Sequence, residues 1–133
     1  MKKNGILNAP LSKAVASLGH TDRLIICDSG LPIPPNAEII DLALTKNIPR
    51  FIDALKVVLE ELAVQEAILA SEIDEKNKDV LNEINSLIDG VKIQKVPHEK
   101  FKELTRQNGT TVFVRTGEAT PYANIILIAG VTF

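Results

Sequence analysis

His20-Thr21-Asp22-Arg23-Leu24-Ile25-Ile26-Cys27-Asp28-Ser29-Gly30-Leu31-Pro32 is the stretch on which the fold turns. An unbroken apolar run, residues 24–27, stands between a histidine on one side and an aspartate on the other. A run this short, bounded by polar and turn-forming residues, reads as a buried strand. The Asp-Ser-Gly-Leu-Pro that follows reads as a loop leaving the strand's carboxyl end, where open α/β sheets hold their ligands. A histidine and a carboxylate this close in sequence suggest proton-transfer chemistry.

Outward from this strand, segments of helical and strand period alternate. Upstream, a helix starts at Asn8-Ala9-Pro10, with Asn8 or a neighbour as cap and Pro10 in its first turn, and runs through Ala14, Val15 and Leu18 to stop at Gly19. Downstream, Pro32, Pro34, Pro35 and Asn36 make a rigid loop, because proline fixes φ and removes a backbone donor. A second strand is expected over 38–44. Phe51, Ile52, Leu55, Val58, Leu59, Leu62 and Ala63 share one helical face. Residues 64–70 either prolong that helix or form a strand, and a strand is favoured. Val80, Leu81, Ile84, Leu87 and Ile88 form another helical stripe, ended by Gly90. A strand over 91–96, a helix over 97–107 and strands over 112–114 and 125–131 complete the reading. This alternation predicts one α/β domain over 1–133, a three-layer αβα sandwich with a mostly parallel central sheet.

The composition sets limits. Of 133 residues, 45% are hydrophobic and 24% charged, as in an ordinary globular protein. A net charge of -2 without a basic tract gives no electrostatic reason to bind nucleic acid or an anionic membrane. No apolar stretch reaches the roughly 18 residues that span a bilayer. Met1-Lys2-Lys3-Asn4-Gly5 is basic but no long apolar region follows, so a signal peptide is not expected. Cys27 is the only cysteine, which rules out an intrachain disulfide and fits a reducing cytoplasm.

Each chemical candidate has a plainer reading beside it. His20 and His98 are the two histidines, in no metal-ligand spacing, and no metal is expected. His20 lies just past a helix end, where the helix dipole favours its protonated form. Either histidine also fits a surface or capping place. Asp28 reads as a catalytic carboxylate or as the acceptor of an Asx turn closed on Gly30. Ser29 lacks the Gly-x-Ser-x-Gly setting of a hydrolase nucleophile. Cys27, inside the apolar run, reads as an inert core thiol. Thr120-Pro121-Tyr122-Ala123-Asn124 holds the only tyrosine, whose polar tip and apolar face suit a sugar, and an asparagine matched to neighbouring hydroxyls. The same residues also build simple turns. No Gly-x-Gly-x-x-Gly and no Gly-Lys-Ser/Thr motif occurs, so nucleotide cofactors lose their usual support.

Taken in order, Asn8-Ala9-Pro10-Leu11-Ser12, Gly19-His20-Thr21-Asp22, Cys27-Asp28-Ser29-Gly30-Leu31-Pro32-Ile33-Pro34 and Thr120-Pro121-Tyr122-Ala123-Asn124-Ile125 resemble the ribose pyranase and fucose mutarotase family over essentially the whole chain. Thr21 after the histidine and Ser29-Gly30-Leu31-Pro32 after the aspartate resemble its ribose branch. The resemblance implies a cytoplasmic isomerase that converts D-ribose between its pyranose and furanose forms without a cofactor. It implies a homo-oligomer, a decamer of two pentameric rings. It carries over His20 as proton donor and Asp28, His98, Tyr122, Ala123 and Asn124 as substrate-binding positions. Two other functions stay open, a non-catalytic sugar-binding regulatory subunit and a mutarotase acting on fucose or another monosaccharide. At about 3.3 Å per residue, the strand separates His20 from Asp28 by well over 10 Å. Unless the segment before Leu24 folds back, a neighbouring subunit supplies one of them.

Overall fold

Helix formation begins where the cap residues dictate. The Asn8 carboxamide oxygen accepts the backbone N–H of Leu11 at 2.9 Å and opens α1 (Ala9–Ser17). In the computed structural model, which describes residues 1–133, the chain continues through β1 (Arg23–Cys27), β2 (Glu38–Asp41), α2 (Phe51–Glu61), β3 (Val64–Ala70), α3 (Ile73–Lys76), α4 (Lys78–Leu87), β4 (Lys92–Val96), α5 (His98–Leu104), β5 (Thr111–Arg115) and β6 (Ile125–Ala129). All six strands join one sheet in the order β2-β5-β1-β6-β3-β4. Pairing is parallel for β2 with β5, β5 with β1, and β3 with β4. Only β6 is reversed, antiparallel to β1 and to β3.

The central strands are apolar on both faces because both faces are covered. Leu24 and Ile26 of β1 point to a layer built from α1, α2, α3 and α4, through Leu11, Leu55, Ile73 and Ile84. Ile25 and Cys27 point the other way, to Phe101 of α5 and to Leu31 in the loop after β1. The result is the expected αβα sandwich, with a second helical layer that is a single short helix and a loop. The two edge strands are marked by charge, Glu38 and Asp41 on β2 and Lys92 and Lys95 on β4, as exposed edges require.

Several boundaries differ from the sequence reading, each for a physical reason. The strand expected over 38–44 ends at Asp41, because Leu44 and Thr45 turn back to donate to the Ile48 carbonyl at 3.0 and 3.3 Å. The helix expected over 97–107 ends at Leu104, where the Arg23 guanidinium donates to the carbonyls of Leu104, Gln107 and Asn108 at 2.9, 2.8 and 3.2 Å. The last strand stops at Ala129, and Gly130 donates to Ala63 at 2.8 Å. The short α3 has no counterpart in the sequence reading.

Candidate active site

β1 delivers Asp28 to the carboxyl end of the sheet, and β6, running the other way, begins beside it. The two meet through a reciprocal pair. The Asp28 backbone N–H donates to Asn124 Oδ1 at 2.9 Å, and Asn124 Nδ2 donates to Asp28 Oδ2 at 3.1 Å. The remaining oxygen, Asp28 Oδ1, accepts the Gly30 N–H at 2.9 Å. The Asx turn and the site carboxylate are therefore the same group: the local turn aims the side chain.

β4 delivers His98 from the opposite half of the sheet. It is the first residue of α5, and its backbone N–H is held by both carboxylate oxygens of Glu72, at 2.8 and 3.1 Å. The imidazole meets the Tyr122 ring edge to face at a centroid distance of 5.1 Å and lies nearly parallel to Phe101 at 6.2 Å. Its Nδ1 is sealed from solvent without a hydrogen-bond partner, so proton exchange with a ligand falls to Nε2. Tyr122 itself occupies the left-handed region at φ 59°.

Asp28, Gly30, Leu31, Pro32, His98, Tyr122 and Asn124 line one pocket of about 200 Å³. That is below the roughly 300–1,000 Å³ of drug-sized sites and suits a monosaccharide better than a larger ligand. Four of the six expected site residues thus converge. Ala123, between Tyr122 and Asn124, does not line the pocket: the whole residue is buried in the core. His20 does not join them. It sits at the other end of β1, exposed, with Nε2 3.0 Å from Gln65 Oε1. Thr21 beside it donates to Ala129 at the far end of β6, so the segment does not fold back toward Asp28. Gln65 is reached because β3 shifts register between Val64 and Glu66, a bulge that re-aims one side chain.

Burial pushes the Asp28 carboxyl above its ordinary value, against the hydrogen bonds from Gly30, Asn124 and Leu31 and the charge of His98, which pull it down. Burial, reinforced by the adjacent Asp28 charge, drives the Cys27 thiol up to about 12, so it stays protonated and unreactive at neutral pH. A larger cavity of about 510 Å³ opens beside Ser29, Leu44, Lys46 and Arg115. There Asp41 holds the Arg115 guanidinium at 3.0 and 3.2 Å, and none of the six expected site residues lines the cavity. No group of three or more His, Cys, Asp or Glu side chains is placed to hold a metal ion. Sequence reasoning missed Glu72, whose only signal is an acidic residue in an unassigned segment.

No helix is long and apolar enough to cross a membrane. The chain is 53% identical to a D-ribose pyranase of Laribacter hongkongensis over 133 residues, covering 100% of both chains. It is 54% identical to a D-ribose pyranase of Geobacillus thermodenitrificans, covering 100% of this chain and 99% of that one. The solved structure of Bacillus subtilis RbsD complexed with D-ribose superposes with a TM-score of 0.94 at 46% identity, with 100% of both chains covered. The fucose mutarotase of Streptococcus pneumoniae, solved with L-fucose, shares the fold at a TM-score of 0.79 and 22% identity over 96% of this chain and 95% of that one. A family model matches residues 1–132, and the chain belongs to the RbsD / FucU transport protein family.

Proposed function

We propose that this chain is an isomerase that interconverts the pyranose and furanose forms of D-ribose, working as one domain over 1–133. The observation that carries the reading is the convergence of Asp28, His98, Tyr122 and Asn124 in one monosaccharide-sized pocket. End-to-end similarity to D-ribose pyranases supports it. Opening a hemiacetal ring requires a proton on the ring oxygen and loss of one from the anomeric hydroxyl, with cleavage of the bond between the anomeric carbon and the ring oxygen. Closure through a different hydroxyl reverses these transfers and gives the other ring size. Both steps are proton transfers, and the reading includes no metal or nucleotide. In it His20 protonates the ring oxygen. Asp28, made more basic by burial, and His98 through Nε2 handle or orient the hydroxyl protons. The proposed substrate-binding segment is Tyr122-Ala123-Asn124, in which Tyr122 and the unspent N–H of Asn124 meet the sugar and the buried Ala123 joins them.

His20 belongs to this site only if another subunit brings it. A head-to-tail ring supplies that arrangement, because it joins two different surfaces of one chain. Exposed apolar groups include Leu44 and Ile48, in the loop after β2, and Val131 and Phe133, in the segment after β6. They support such a contact, and the proposed assembly is a decamer of two pentameric rings. The single buried cysteine supports a reducing, cytoplasmic setting.

The family's description as transport proteins favours a second reading, a sugar-binding subunit without catalysis. NMR saturation transfer on D-ribose separates the two. The wild-type protein is expected to accelerate exchange between ring forms, and a folded His20→Ala variant to lose about 10²–10⁴-fold of that rate. Ribose binding without faster exchange would overturn the isomerase reading in favour of the second one.

A further inference from the structure

Glu118 is a carboxylate in the protein interior, 1% exposed, that the proposed reaction does not use. Its Oε1 accepts the backbone N–H of Phe51, the first residue of α2, at 3.0 Å. Its Oε2 accepts the Thr120 hydroxyl at 3.0 Å. The Thr120 oxygen in turn accepts from Asn77 Nδ2 at 2.8 Å, and the same nitrogen donates to the Pro121 carbonyl at 2.8 Å. The start of α2 and Arg50 Nε at 3.9 Å offset the buried negative charge. Every proton in this relay has one direction. The amide nitrogen spends both of its hydrogens, and the hydroxyl spends its single one on the carboxylate.

The relay ends where the pocket begins. Thr120 and Pro121 are fixed by Glu118 and Asn77, and Asn124 is fixed by Asp28. Between these anchors Tyr122 is held at φ 59°, a conformation that a residue with a Cβ does not keep unaided. We propose that Glu118, acting through Thr120 together with Asn77, is a positioning residue that fixes the 120–124 turn so that Tyr122 and Asn124 present a formed sugar site. The inference rests on the reading of that pocket as the ribose site. It requires a carboxylate at 118. A glutamine would set a donor against either the Phe51 N–H or the Thr120 hydroxyl proton, and one of the two would lose its acceptor.

Tyr122 reports on this turn alone, because the chain has one tyrosine and no tryptophan. Acrylamide quenching of its fluorescence, with circular dichroism to confirm folding, is measured for wild type, Thr120→Val, Thr120→Ser and Glu118→Gln. Thr120→Val and Glu118→Gln are expected to be quenched more readily, and Thr120→Ser, which keeps the hydroxyl, to follow the wild type. In ring exchange of D-ribose, Thr120→Val is expected to raise KM about tenfold with kcat little changed, the pattern of lost uniform binding, and Thr120→Ser to restore it. A folded Thr120→Val protein with wild-type quenching and KM overturns the inference. Should Glu118→Gln fail to fold, the Thr120 pair decides. Should the wild type not act on ribose, the functional reading falls, and the quenching contrast alone supports or overturns the positioning role.

Discussion

Asp28 carries the clearest electrostatic consequence of the fold. Burial raises its carboxyl above the ordinary 3.8, and the hydrogen bonds from Gly30, Asn124 and Leu31 only partly oppose this. The folded state therefore holds this proton more tightly than the unfolded chain does. Its contribution to stability is fullest below 3.8 and declines as pH rises from there through the folded value. A carbon-13 NMR titration of the native protein is expected to give Asp28 a midpoint above 3.8. Urea unfolding of wild type and Asp28→Ala across the same range is expected to show the difference shifting toward the variant as pH rises. A midpoint at or below the ordinary value would remove the desolvation argument and the enhanced basicity assigned to this group. In the proposed reaction a carboxylate kept basic is useful next to a hydroxyl whose proton must leave, so the proposal draws on the same feature that costs stability.

At the scale of elements, the end of β5 is clamped by the loop after β2. Gly117 donates to the Pro49 carbonyl at 2.9 Å, and its own carbonyl accepts the Asn47 N–H at 2.6 Å. A Cβ on Gly117 would press into the Thr45 carbonyl oxygen and lie 2.6 and 2.8 Å from the Ile48 carbonyl oxygen and nitrogen. Backbone atoms cannot swing aside as a side chain can. Gly117→Ala is expected to destabilise the protein by about 1–3 kcal/mol, read as a lower urea midpoint with an unchanged slope. A variant as stable as wild type would mean that this loop yields freely. The same clamp explains what the sequence could and could not disclose. The strand at 24–27, the Asn8 cap and the stripe from Phe51 are local patterns, visible because burial and capping act over a few residues. The early end of α5 depends on Arg23, more than eighty residues away, and the end of β2 depends on a turn closed by Ile48. Asp28 and Tyr122 were readable from their turn chemistry. Glu72 and Glu118 were not, because each works by accepting a backbone hydrogen bond from a segment distant in sequence.

At the scale of the whole molecule, the two parts of the proposed site lie at opposite ends of one strand. Asp28, His98, Tyr122 and Asn124 line the pocket at the carboxyl end of β1, and His20 stands at its amino end. Five strand residues at about 3.3 Å each keep them well over 10 Å apart, and a rigid sheet of six strands does not fold to close that gap. If a site forms from the pocket of one subunit and the His20 of the next, a ring of His20→Ala chains has pockets but no donor. A ring of Asp28→Ala chains has donors but no working pocket. Each is inactive alone. Mixed with equal numbers and random order, a pocket from the first kind meets a His20 from the second at about a quarter of the contacts, whatever the ring size. Subunit exchange between the two inactive variants, verified by native mass spectrometry, is therefore expected to restore about a quarter of the wild-type exchange rate. A site built within one chain predicts no recovery at any mixing ratio. Proven mixing without recovery, or a fully active monomer, would return His20 to a surface role and require the proton donor to be sought inside the pocket, with His98 the first residue to test.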